Sequence, residues 1–202
     1  MKKTIGANRD VIWNCNPITP DKQQIVCSRS FSRRLTTYSD LSQALSEFCS
    51  RAAEKLRRQH SVAGCVSVFI RTSPFNPQEP HYERSATIKL SAATQDTRTL
   101  ITAANRLLTE IFRMGFNYQK CGVQLSHIQP AIKLGQTELF DFADESLPTE
   151  NRPLMATMDQ INRRFPKMLS IAATGVDKSW QPKTERISQR YTTDWKELVV
   201  VK

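Results

Sequence analysis

No run of apolar residues in this chain approaches the roughly 20 needed to cross a bilayer. The basic opening MKKTIGANRDVIW likewise has no apolar stretch of the kind that follows the charges of a secretory signal. A membrane span and secretion are not expected, and the chain is expected to be cytoplasmic. Cysteine is present but unorganised: Cys15, Cys27, Cys49, Cys65 and Cys121 are odd in number, and no two stand at metal-knuckle spacing. That argues against a disulfide framework or a zinc site, and reduced cysteines among apolar neighbours read as small hydrophobes. No Ser/His/Asp or Cys/His site stands out either. His60 follows a helical pattern, His81 lies between prolines and His127 ends a strand pattern, so each is read as a surface histidine.

What the chain does have is positive charge. Lys and Arg number 29 against 19 Asp and Glu, a net +10, with hydrophobic content of 39%. Such a composition suits a globular protein, and 202 residues can bury one full core with a small additional unit. The charge is also segmented. Residues 1–134 carry 19 basic against 9 acidic side chains, residues 135–150 carry 0 against 5, and residues 151–202 carry 10 against 5. Two basic blocks flanking an acidic joint suit a polyanion, because each neutralised phosphate releases counterions.

Residues 1–21 read as an irregular lead-in, with Pro17 and Pro20 interrupting regular structure. The stretch 23–31, QQIVCSRSF, reads as a strand. The next segment has Leu41, Ala44, Leu45, Phe48, Ala52 and Leu56 on one helical stripe, with Ser39 or Asp40 as its start. The period then becomes two. Val66, Val68 and Ile70 oppose Ser67, Phe69 and Arg71, and beyond a proline-rich turn Ala86, Ile88 and Leu90 oppose Ser85, Thr87 and Lys89. A second helix is expected from about Asp96, its N-cap, to Met114, with Gly115 ending it. A last strand places Cys121, Val123 and Leu125 on one side and Lys120, Gly122, Gln124 and Ser126 on the other.

The order β-α-β-β-α-β predicts a two-layer α+β domain over residues 22–130: a four-stranded sheet with both helices on one face. The uncovered face is expected to be lined by Ser67, Arg71, Ser85, Thr87, Lys89, Lys120, Gly122 and Gln124, side chains suited to phosphate contact. The first strand can be registered either way. An acidic linker follows at 131–152, then a small C-terminal module at 153–202, with a helix starting near Pro153 and MLSIAATG as a possible strand. A segment of about 50 residues buries little surface alone. It either packs on the first domain or uses a partner, and Trp180 and Trp195 serve both readings.

The segments KQQIVCSRSFSRRLTTYSDL, RAAEKLR, FIRTSPFNPQEPHY, SATIKL, TQDTR, YQKCGV and RYTTDWKELVVVK together resemble the C-terminal part of UmuC-type proteins. These are the catalytic subunits of DNA polymerase V, Y-family translesion polymerases of the SOS response. The resemblance runs from about Lys22 to Lys202. It implies a little-finger domain gripping primer-template backbone, with DNA contacts at Arg29, Ser30, Arg33, Arg34, Arg71, Thr72, Thr87, Lys89 and Lys120. It also implies that QTELF is a sliding-clamp peptide, with Gln136 for hydrogen bonds and Leu139 and Phe140 filling an apolar pocket. Residues 153–202 would contact a UmuD′-like dimer or the RecA filament.

Two-metal nucleotidyl transfer needs acidic side chains fixed around a pair of Mg²⁺ ions, and in this family they belong to palm and finger domains. No segment here matches those domains. Asp40, Glu47 and Glu54 read as solvated helix surface, and Asp141, Asp144 and Glu145 fall in the linker, so no metal, cofactor or catalytic residue is expected in this chain. The expected role is DNA binding and clamp docking in error-prone lesion bypass. Two alternatives remain: one half of a polymerase whose catalytic domains lie on another chain, or a regulatory or vestigial clamp-binding protein competing with intact polymerase.

Overall fold

The computed structural model describes residues 21–131, 152–166, 168–176 and 180–181. The lead-in, the acidic linker with Gln136, Leu139 and Phe140, and most of the closing segment lie outside the described residues. Strand β1 (Ile25–Leu35) leads into helix α1 (Tyr38–Arg58), then β2 (Ser61–Thr72), β3 (Glu83–Thr94), α2 (Thr97–Ile111) and β4 (Tyr118–Pro130). The strands form one sheet in the order β1-β4-β2-β3, every neighbouring pair antiparallel. The expected α+β architecture is therefore the observed one.

Period-two and period-3.6 patterns meet at a single core. Val66, Val68 and Ile70 of β2 and Val123 and Leu125 of β4 are fully buried, and Ile25 and Cys27 continue the same side on β1. Onto them pack Leu41, Leu45, Phe48, Ala52 and Leu56 of α1 and Leu100, Leu107 and Leu108 of α2. Ala86, Ile88 and Leu90 of the edge strand β3 face the same way but are only partly buried. The thiols of Cys49 and Cys121 lie inside this core, where burial pushes them up and keeps them protonated.

Helix boundaries differ from the sequence expectation for local reasons. Thr37, not Ser39 or Asp40, caps α1, its hydroxyl accepting from the Asp40 N–H at 3.2 Å. Helix α2 ends at Ile111, three residues early. There the Tyr118 hydroxyl accepts from the Arg113 N–H at 3.0 Å and donates to its carbonyl at 2.8 Å, taking over groups a further turn would have used. Gly115, at φ +87, turns the chain towards β4.

The segment 168–176 is not a strand. Its only regular element is a single 3-10 turn at Ala172–Thr174. Helix α3 (Arg152–Arg164) does form near Pro153, and a buried ion pair fastens it to the sheet domain. Arg57 donates from Nε to Asp159 Oδ2 at 2.7 Å and from Nη2 to Oδ1 at 2.8 Å. Its remaining nitrogen, Nη1, reaches the Gln95 carbonyl at 3.0 Å and Thr97 Oγ1 at 2.8 Å. One guanidinium thus joins the end of α1, the start of α2 and α3.

Trp180 is also spent inside, at 1% exposure, edge-on to Phe31 and Phe48 with centroids 6.1 and 5.7 Å away. Its carbonyl accepts from the Ser32 N–H at 3.3 Å on the edge strand β1. Beside it, Gln181 Nε2 donates to both Glu47 oxygens, at 3.1 and 2.9 Å. Glu47, expected as solvated surface, is therefore buried, because the returning chain covers it.

Asp96 caps α2, its Oδ1 accepting from the Arg98 N–H at 2.8 Å, while Arg98 Nη2 donates to Oδ2 at 2.7 Å. Burial pushes the Asp96 carboxyl up, but the Arg98 hydrogen bonds and the charges of Arg98 and Arg57 outweigh it, holding the group below its ordinary value. Stability from this depressed group is present above the unfolded-state pKa of about 3.9 and is lost as pH falls through the lower folded-state value. Asp96→Ala is expected to cost about 1 kcal/mol at pH 7 in urea unfolding, and the gap to wild type should close in strong acid. A gap unchanged at pH 2 would mean that packing, not charge, carries the effect.

Candidate nucleic-acid interface

With both helices on one side, the opposite face of the sheet displays cross-strand rows fixed by register. Thr87, Ser67, Gln124 and Val26 form one row across β3, β2, β4 and β1. Ser85, Phe69, Gly122 and Ser28 form the next, and Glu83, Arg71, Lys120 and Ser30 the third. Lys89, Cys65 and Ser126 make a shorter fourth row. Neighbouring strands lie about 4.8 Å apart, so each row presents its groups at close, regular spacing.

Every residue expected on this face is there: Ser67, Arg71, Ser85, Thr87, Lys89, Lys120, Gly122 and Gln124. The Thr87 hydroxyl donates to Ser67 Oγ at 2.8 Å, tying two of the hydroxyls together. Arg71, Lys89 and Lys120 take part in no ion pair with another described residue, although Glu83 stands opposite Arg71 in the third row.

Phe69 was missing from the expected lining, although its place in the alternation put it on this side. Its ring lies over Gly122, where an added Cβ would stand 2.5 Å from Phe69 Cζ and 2.4 Å from Ser28 Cβ. The glycine is thus explained by close approach, and an aromatic sits at the middle of a mainly polar face that also carries Val26 and Cys65.

The remaining candidates divide by position. Ser30 lies opposite Lys120 and belongs to the third row. Arg29 lies opposite Cys121, on the helix-side parity of β1, and is exposed at the sheet edge. Arg33 and Arg34 follow an irregularity between Ser30 and Leu35; Arg33 is 3.3 Å from Asp40 and Arg34 is 3.6 Å from Glu79, so acidic neighbours offset part of their charge. Thr72 lies off the face altogether. It is 1% exposed, and its hydroxyl accepts from the Tyr82 N–H at 2.9 Å, which corrects its expected place among the contacts. Register decides this, since Thr72 pairs with the buried Tyr118.

His60, His81 and His127 are all exposed. Among the described residues no three His, Cys, Asp or Glu side chains gather as a metal site. No described helix is long and apolar enough to cross a membrane.

Residues 22–139 match the family model for the impB/mucB/samB family C-terminal domain, and residues 152–201 match a domain of unknown function. The protein MucB of Salmonella typhimurium is 44% identical over 181 residues, covering 90% of this chain and 42% of that protein. The protein UmuC of Salmonella typhimurium (strain LT2) is 41% identical over 184 residues, covering 91% of this chain and 43% of its own. The chain thus spans about two fifths of the length of these relatives. A solved complex of β-clamp processivity factor and little finger domain of PolIV aligns at 13% identity and TM-score 0.40, over 57% of this chain and 93% of that one. That likeness is too slight to decide the fold, which rests on the strand order itself.

Because Gly122 is walled in by Ser28 and Phe69, Gly122→Ala is expected to cost about 1–3 kcal/mol, as overpacking does. Chemical denaturation measures it, and an unchanged midpoint would show that the ring moves aside freely.

Proposed function

The chain belongs to the impB/mucB/samB family through its C-terminal domain, and from that premise we propose that it is the DNA-gripping part of an error-prone translesion polymerase of the SOS response. Its residues contribute binding rather than nucleotidyl transfer. The observation that carries this reading is the open face, where Arg71, Lys89 and Lys120 form no ion pair with another described residue and stand among closely spaced hydroxyl and amide groups. Such groups suit phosphate oxygens. Contact that ignores base identity fits lesion bypass, because a damaged base cannot then disrupt the grip.

Duplex binding should therefore be independent of sequence and steeply salt-dependent. Removing one phosphate-binding side chain should reduce the slope of log K against log salt by about 0.9, so the double variant Arg71→Ala, Lys120→Ala is expected to lower it by about 2. Fluorescence anisotropy over a salt series reads this. An unchanged slope would remove the sheet face from the interface.

Docking on a sliding clamp is the second element of the proposal. Its support is the segment QTELF, where Gln136, Leu139 and Phe140 offer an amide and two adjacent apolar anchors within an acidic stretch. In calorimetry the double variant Leu139→Ala, Phe140→Ala is expected to abolish heat of binding to purified clamp, and equal binding by both proteins would dismiss the peptide. Clamp binding without duplex affinity would favour a regulatory protein that competes for the clamp.

A further inference from the structure

Helix α3 has two apolar sides, and among the described residues only one is fully covered. Met155, 3% exposed, and Asp159, 8% exposed, are one turn apart, and Asp159 is the residue that meets Arg57. The other side carries Leu154, Met158 and Ile161, continued by Phe165 just past the helix, at spacings of four, three and four. Leu154 is 51% exposed and Phe165 49%, with Met158 and Ile161 half-buried.

The chain after the helix extends this stripe. Asn162 Oδ1 accepts from the Leu169 N–H at 2.9 Å, and its Nδ2 donates to the Leu169 carbonyl at 2.9 Å. The Met168 N–H donates to the Phe165 carbonyl at 3.1 Å, so Met168 (66% exposed) and Leu169 (42%) are held next to Phe165. A continuous row of large apolar side chains, fixed by hydrogen bonds, is costly to leave in water.

We infer that this stripe is the docking site of the chain's own closing residues, Trp195–Val201. The sequence WKELVVV gathers Trp195, Leu198, Val199, Val200 and Val201 into the most apolar stretch after residue 181. The connecting chain is long, since the fourteen residues from Gln181 to Trp195 extend to about 50 Å at most. Acidic groups are at hand for the exposed Arg163 and Arg164 at the end of α3, in Asp194 just before Trp195 and Glu197 two residues after it, with Lys196 between. A single family unit covers residues 152–201, holding the stripe and the apolar run together. The C-terminal unit then completes its own small core, fastened to the sheet domain by Arg57 and Trp180, and the stripe is not a surface left open for a foreign partner. This inference is independent of DNA binding and of clamp docking.

Hydrogen exchange followed by mass spectrometry on the full chain, at two protein concentrations, tests it. Residues 195–201 are expected to exchange at least about tenfold more slowly than an unstructured chain, equally at both concentrations. The double variant Leu154→Ser, Phe165→Ser should remove that protection and leave α2 residues 100–108 unchanged. If that variant also disturbs α2, the tail variant Leu198→Ser, Val200→Ser decides, since it should raise exchange across 154–165. Closing residues that exchange freely in the wild type would overturn the inference. Protection that grows with concentration would assign the stripe to a second copy, and protection indifferent to both variants would place the closing run elsewhere; either result overturns it.

Discussion

Burial of only one side of the β2–β4 ladder is the constraint from which the rest of this structure follows. These central strands are paired along nearly their whole length, and their inward residues Val66, Val68, Ile70, Val123 and Leu125 are completely covered. Both crossing helices lie on that side, because apolar residues at period two and at period 3.6 can shed water only against each other. The opposite face is then obliged to display whatever the intervening positions hold. Those positions hold hydroxyls, an amide, a phenyl ring over a glycine, Val26 and Cys65, one acid at Glu83, and three cationic side chains that take part in no ion pair among the described residues. A face of that kind is set by the same register that sets the core, so its spacing is as rigid as the sheet.

The chain beyond the sheet domain is fastened to it at two points that differ in kind. At Arg57 the bond is polar, with a buried guanidinium satisfied by Asp159, the Gln95 carbonyl and Thr97. Near Phe31 and Phe48 it is aromatic, with Trp180 inserted edge-on and Gln181 neutral against the Glu47 carboxylate. Removing either partner of the first would leave a buried charge uncompensated, a larger loss than the pair itself contributes. Trp180 engages the Ser32 N–H of the edge strand β1 and so occupies a backbone group that an exposed edge would offer to other strands.

Much of this was legible in the residues. Alternation through 65–71, 85–90 and 120–126 fixed both sides of three strands, and the apolar stripes of α1 and α2 gave the covered face. β1 was not legible: Ile25 and Cys27 turn inward, an irregularity follows Ser30, and charged residues tolerate either side of an edge strand, so Arg29 and Ser30 could be separated only by register. Thr72 entered the expected contacts through the family resemblance alone; the alternation that turns Arg71 outward already turns Thr72 inward, and there its hydroxyl accepts from the Tyr82 N–H. Glu47 and Trp180 depend on a meeting of residues 134 apart along the chain, from Glu47 to Gln181, which no local pattern records. Phe69 does carry a local signal, an aromatic in phase with Ser67 and Arg71.

The most direct test is an amide and side-chain NMR titration of the isotopically labelled chain with an undamaged duplex at low salt. If the open sheet face is the DNA surface, shift changes will gather on Ser67, Phe69, Arg71, Ser85, Thr87, Lys120 and Gln124, and the outer faces of α1 and α2 will stay still. Changes confined to the helices, or spread evenly over the basic surface, would contradict that assignment and leave the rows of the sheet as structure alone.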